Sequence, residues 1–154
     1  VVLCLPGLTG PTTVAAAANR HVADRVAREG VEPVLAELAR DPAALPWIAD
    51  EVARSWRRHD PASLVAALRA AGDTERLPDG ELSRIAVPAG IAAVVDDLAH
   101  PLATAEHLAR TLPRAALRTL SLVDLAADRS RLGRAAVAAL AVARDRAVPP
   151  SESR

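Results

Sequence analysis

Apolar and polar positions along the chain change period several times, and each change marks an element. Residues 1–5, Val-Val-Leu-Cys-Leu, form a short apolar run, stopped by Pro6-Gly7 and again by Gly10-Pro11. Such a run reads as a buried strand followed by a turn. From 13 to about 72 the period is helical and comes in short pieces. The first, about 14–29, lines up Ala18, Val22 and Val26, with Gly30 placed as its C-cap. A second covers about 31–40. Asp41-Pro42 and Asp60-Pro61 each set a capping carboxylate before a proline at the first helical position. They are expected to open helices near 42–58 and 61–71. A polar, turn-rich stretch, 72–80, follows.

Beyond it, 89–95 is continuously apolar rather than alternating, the pattern of a strand covered on both faces. The run ends in Asp96 and Asp97 and turns through His100-Pro101. It continues as a helical stripe of Leu102, Ala105, Leu108, Ala109 and Leu112, which Pro113 stops. Residues 117–122 read as another strand and about 128–146 as a last helix, with Leu132, Ala136, Leu140 and Ala143 inward. Residues 87–122 therefore form a β-α-β unit with a right-handed crossover. The expected fold class is α/β, with about three parallel strands and a helical insertion, predominantly helical by residue count.

The expected organisation is strand and turn over 1–12, a helical cap over 13–80, the β-α-β unit with the C-terminal helix over 81–147, and a disordered tail over 148–154. The apolar start reads as an entry in mid-fold. Three strands make half of a larger sheet better than a complete domain. One sheet edge is then unpaired, and self-association through it is expected.

Composition narrows the core. At 154 residues the chain can bury one, but Phe, Tyr and Met are absent and Trp47 and Trp56 are its only aromatic residues. Ala, Leu and Val must fill the interior, and they remove less apolar area per residue than larger side chains. Nineteen basic residues balance nineteen acidic ones without a long run of either sign, so neither nucleic acid nor an anionic membrane is expected as partner. Cys4 is the only cysteine, which rules out an internal disulfide and reads as a buried, inert thiol. No apolar run approaches the roughly 18 residues of a membrane span, and the start lacks the charged and apolar regions of a signal peptide. A cytoplasmic location is expected.

Chemistry concentrates in one turn. Asp96 and Asp97 fit a capping role for the helix that starts at Pro101, and equally an acid at the carboxyl end of a strand, where α/β folds place their chemistry. His100, three residues beyond Asp97, could be a hydrogen-bonded turn residue or a base. No second cluster completes a coordination sphere around Asp96, Asp97 and His100, so no metal and no other cofactor are expected. His107 lies beside the apolar stripe of its helix, and His21 and His59 read as surface or helix-end residues. Trp47 and Trp56, nine residues apart, are read as facing similar directions, either into the core or toward a substrate pocket.

The order of elements resembles the C-terminal portion of an α/β-hydrolase. Residues 1–11 look like the strand entering a helical cap. Ile85-Ala-Val-Pro-Ala-Gly-Ile-Ala-Ala-Val-Val-Asp-Asp97 is similar to that family's "I-x-x-P-x-x-x-x-x-G-x-x-D" approach to its catalytic acid. The "A-x-x-L-A-x-x-L-P" ending of 103–113 is similar to the helix that follows. The resemblance implies Asp97 as the triad acid, with Asp96 before it, although Val94 stands where the family often has Gly. The family's G-x-S-x-G nucleophile elbow is absent, and 123–130, where its histidine would fall, contains Asp124 and Asp128 but no His. What it implies is a fragment of a hydrolase of ester or amide bonds in small molecules, inactive by itself, with Asp97 as acid and His100 as substitute base. Trp47 and Trp56 would then contact substrate. The alternative is a non-catalytic α/β binding or interaction module.

Overall fold

In this computed structural model, which describes residues 1–7, 14–42, 44–73 and 77–146, three parallel strands form one sheet. They are β1 (Val2–Cys4), β2 (Ala89–Val94) and β3 (Ala115–Leu120), in that spatial order. Val2 stands beside Gly90 in the register of β1 on β2, and Ala89 beside Ala115 in that of β2 on β3. The fold is α/β. The chain divides into two compact units, Val1–Leu8 with Leu77–Arg154, which holds the sheet, and Thr9–Arg76, which is helical. The expected tail over 148–154 and the Gly10-Pro11 turn lie outside the described residues.

β2 is buried at every position because it has a neighbour on each side and a helix on each face. Strand alternation sends Ile91 and Ala93 to one face, where they meet Ala105 of helix α6 (Leu102–Thr111) and Leu112, which follows that helix as its C-cap. The opposite face receives α8 (Ser130–Asp145), whose Ala136, Ala139 and Ala143 are fully buried. The approach is very close. A Cβ added at Gly90 would lie 2.3 Å from the Ala136 carbonyl oxygen and 2.4 Å from the Leu140 nitrogen. Small residues thus substitute helix proximity for side-chain bulk, and the largest fully buried side chains are Ile91 and Val94.

β1 departs from the expected buried strand. Among the described residues it is an edge strand, hydrogen-bonded only to β2, with Val2 and Cys4 exposed and Val1 at 57 % exposure. An apolar run is buried only where neighbours cover it, and β1 has one neighbour. The Cys4 thiol is accordingly exposed and free rather than buried. Val95, expected to end β2, lies outside the strand and is 53 % exposed.

The helical unit contains α1 (Val14–Glu29), α2 (Val31–Leu38), α3 (Pro46–Trp56) and α4 (Pro61–Asp73). Its core joins Ala23 and Val26 of α1 to Val34 of α2 and to Leu64 and Val65 of α4. Asp60-Pro61 opens α4 as expected, with the Asp60 carboxylate accepting the Ser63 N–H at 3.0 Å. Asp41-Pro42 does not open α3, which begins four residues later at Pro46. A helix started at Pro42 would carry Pro46 in its interior, losing one hydrogen bond and pressing the ring on the carbonyl of residue 42. At the first helical position Pro46 carries neither cost. Gly72 is helical rather than part of a turn: a Cβ there would lie 2.9 Å from the Ala16 carbonyl oxygen, so α1 and α4 meet through it.

Two short helices complete the sheet unit, α5 (Asp79–Leu82) within the stretch expected to be loop, and α7 (Leu122–Ala127) directly after β3. Among the described residues no helix is long and apolar enough to cross a membrane.

Candidate functional site

Parallel strands end on the same side of a sheet, so the segments following β1, β2 and β3 share one edge. Leu5, just after β1, has φ of 50°, a left-handed conformation that costs a non-glycine residue roughly 1 kcal/mol. Its N–H still donates to the Ala92 carbonyl at 2.9 Å, and the chain then turns through Pro6-Gly7. A Cβ on Gly7 would lie 3.7 Å from Cδ2 of His100, so this turn runs beside the imidazole.

The two carboxylates after β2 do different things. Asp96 reaches sideways, its Oδ1 accepting the Leu122 N–H at 2.8 Å and tying the loop after β2 to the start of α7. Asp97 closes its own turn, with Oδ1 accepting the N–H groups of Ala99 at 2.8 Å and His100 at 3.3 Å. Its other oxygen, Oδ2, lies 2.8 Å from Nδ1 of His100. The Asp97 side chain is 16 % exposed and that of His100 38 %.

An ionised carboxylate can only accept, so Nδ1 of a neutral His100 carries the proton and Nε2 keeps its lone pair. Nε2 has no partner among the described residues. The half-buried acid therefore fixes both the tautomer and the orientation of an imidazole whose second nitrogen is open. That is the arrangement a general base needs.

The segment after β3 is built differently. Ser121 caps α7 through a reciprocal box: its Oγ accepts the Asp124 N–H at 3.1 Å, while Asp124 Oδ2 accepts the Ser121 N–H at 3.0 Å. These Ser121 donors, with Arg131 at 2.6 Å, hold the Asp124 carboxyl below its ordinary range. Ser130 and Arg134 lower Asp128 still further. The Ser121 hydroxyl is thus committed to its cap, and the Ser130 hydroxyl to Asp128 and Arg134. Thr104, the first hydroxyl after His100 in the chain, has its Oγ1 buried without a partner among the described residues and is not presented at a surface.

A second carboxylate–imidazole pair lies elsewhere in the same unit, where His107 Nε2 of α6 is 2.9 Å from Asp79 Oδ1 of α5. Asp79 and His107 are 28 residues apart in sequence, and no local pattern announces the contact. Among the described residues no three His, Cys, Asp or Glu side chains group as metal ligands.

Trp47 and Trp56 belong to α3 in the helical unit and do not share a face. Nine residues at 3.6 per turn leave a half-turn between them, which places them on opposite sides of the helix and corrects the expected common direction. Trp56 packs beside the core with Val22, Val31 and Leu68 and lines a cleft, whereas Trp47 is not among that cleft's residues. The polar lining of the cleft, His21 and Arg25 of α1, Glu37 of α2, and Arg40 and Asp41 after it, comes from separate segments, so spacing along the chain does not reveal it. Comparisons with protein-family models, with curated proteins and with solved structures found no match.

Proposed function

We propose that the sheet unit carries the acid–base half of an α/β-hydrolase-like site, with Asp97 as the orienting acid and His100 as the base. The observation that carries this reading is the 2.8 Å contact between Asp97 Oδ2 and His100 Nδ1, at the carboxyl end of the central strand with Nε2 open. Such a base takes a proton from a hydroxyl or a water and returns it to a leaving group, the chemistry of ester or amide cleavage in small molecules. The nucleophile belongs to a longer polypeptide containing this chain, and the exposed edge of β1 is where further strands of the sheet would add. The chain alone is accordingly inactive.

Hydrolysis of p-nitrophenyl butyrate tests the reading. The longer polypeptide is expected to cleave the ester and to lose at least about a hundredfold in rate on His100→Ala or Asp97→Ala, with His107→Ala unchanged. Activity indifferent to His100→Ala would overturn the role of the base. Turnover by the chain alone, abolished by Asp97→Ala, would overturn the missing nucleophile.

The alternative is a non-catalytic α/β binding or interaction module. One observation favours it: Asp96 and Asp97 both hold backbone N–H groups and so have structural work independent of any substrate. Unchanged partner binding together with an absence of hydrolysis in the longer polypeptide would decide for it.

A further inference from the structure

The two most exposed large apolar side chains among the described residues are Leu98, 97 % exposed, and Val123, 75 % exposed. Single exposed leucines and valines are ordinary on a protein surface. These two are set apart by their place. Leu98 stands inside the turn that Asp97 closes onto His100, and Val123 follows Leu122, whose N–H the Asp96 carboxylate accepts at 2.8 Å. Val95, also exposed, joins β2 to that turn, and its N–H donates to the Leu120 carbonyl at 2.9 Å. Two ties thus fasten the segment of Val95 and Leu98 to that of Val123, at the edge that carries the His100 imidazole. Folding does not require apolar residues there. The turn is closed by the Asp97 carboxylate and two backbone N–H groups, which any side chain at 98 allows, and α7 is held by its capping box and the buried Leu125. Apolar side chains concentrated on one exposed edge mark a binding surface.

Charge decides what kind of ligand fits. Segments 95–101 and 121–134 contribute Asp96, Asp97, Asp124 and Asp128 against Arg129, Arg131 and Arg134. Arg131 donates to Asp124 at 2.6 Å and Arg134 to Asp128 at 2.5 Å, and Arg129 is engaged as well. The turn after β1, Leu5-Pro6-Gly7, adds no charge. The charges nearest Leu98 in the chain are therefore two carboxylates, which disfavour an anionic ligand and suit an uncharged one.

We propose that Leu98, with Val95 and Val123, forms the subsite for the hydrocarbon acyl chain of an uncharged ester and so sets the specificity of the site. The inference rests on the hydrolase reading for the ester, but the surface itself does not need the nucleophile to bind one. All three residues lie in the sheet unit, so the chain carries the whole subsite.

Ethyl butyrate and ethyl acetate are the probes, titrated into the full chain and followed by the carbon-13 methyl signals of Leu98, Val95 and Val123. Saturable shifts of all three are expected, with the His100 ring signals moving over the same concentration range. Two more buried methylenes should make ethyl butyrate bind about tenfold more tightly than ethyl acetate. Sodium butyrate, with its charge, should bind more weakly than ethyl butyrate. Leu98→Ala, which removes a side chain that packs on nothing in the core, should weaken ethyl butyrate about fivefold. In the longer polypeptide the same variant should lower the preference for p-nitrophenyl butyrate over p-nitrophenyl acetate by a similar factor, through KM rather than kcat. Equal binding of the two ethyl esters would overturn the proposal. So would affinity unaltered by Leu98→Ala, or methyl signals that show no saturable shift up to about 30 mM ethyl butyrate. Methyl shifts that follow protein concentration without any ester would overturn it too, by showing that a second copy covers the edge. Saturable shifts in the chain with no hydrolysis by the longer polypeptide would support this subsite and overturn the hydrolase reading alone.

Discussion

The sheet unit contains two carboxylate–imidazole pairs of nearly equal length, 2.8 Å for Asp97 with His100 and 2.9 Å for Asp79 with His107. Their chemistry differs because different nitrogens are engaged. Asp97 takes Nδ1 and leaves Nε2 open, at the carboxyl edge of a fully buried strand. Asp79 takes Nε2 and joins a four-residue helix to the flank of α6. The first carboxylate is 16 % exposed and also anchors its turn through two N–H groups; the second is 56 % exposed. A short acid–histidine distance thus says little until the nitrogen, the burial and the supporting element are named.

The largest effect should come from the frame beneath the Asp97 pair. Gly90→Ala would drive a methyl into the backbone of α8, and flexible side chains cannot absorb the clash. A loss of about 3 kcal/mol is expected in urea unfolding, at the upper end of ordinary overpacking. Gly7→Ala, whose Cβ would meet the His100 ring at an ordinary 3.7 Å, should stay within about 0.5 kcal/mol of the parent.

Next in size is the contrast between the acids. Asp97→Ala strands two N–H groups and an imidazole and should cost about 1–2 kcal/mol. Asp79→Ala removes an exposed pair and should cost about 0.5 kcal/mol or less. Equal losses in chemical denaturation would erase the distinction between them. A smaller effect concerns reactivity. Diethyl pyrocarbonate should modify His100 faster than His107, whose Nε2 is already engaged. Mass spectrometry of the partly modified chain reads the order.

The carboxylates after β3 make the mildest prediction. Asp124 and Asp128 have pKa values lowered in the folded chain, chiefly by hydrogen bonds from Ser121 and from Ser130 with Arg134. A lowered folded value means stability that is present above the unfolded carboxylate pKa of about 4 and is lost as pH falls below it. Thermal midpoints should therefore decline with acidification in that window. Asp128→Asn should flatten the decline, which circular dichroism can follow.

What the sequence discloses tracks how local each interaction is. The continuous run of β2 shows its double coverage, and Asp97 with His100 is legible because three residues suffice to bring them together. Asp60-Pro61 also works within a few residues. Asp41-Pro42 carries the same signal but loses to Pro46, a competitor just downstream. The exposure of β1 depends on its having one neighbour, which no run of apolar residues can state. Asp79 with His107, and the cleft shared by His21, Arg40 and Trp56, depend on how separate helices pack. Trp47 and Trp56 are a simpler case, since a half-turn of helix separates them whatever the packing.

The central claim is that Asp97 holds His100 with Nε2 available as a base. Nitrogen NMR of the neutral imidazoles tests it most directly. His100 is expected in the Nδ1-protonated form and His107 in the Nε2-protonated form, with Asp97→Ala abolishing the preference of His100 alone. A neutral His100 protonated on Nε2 in the unsubstituted chain would contradict the account.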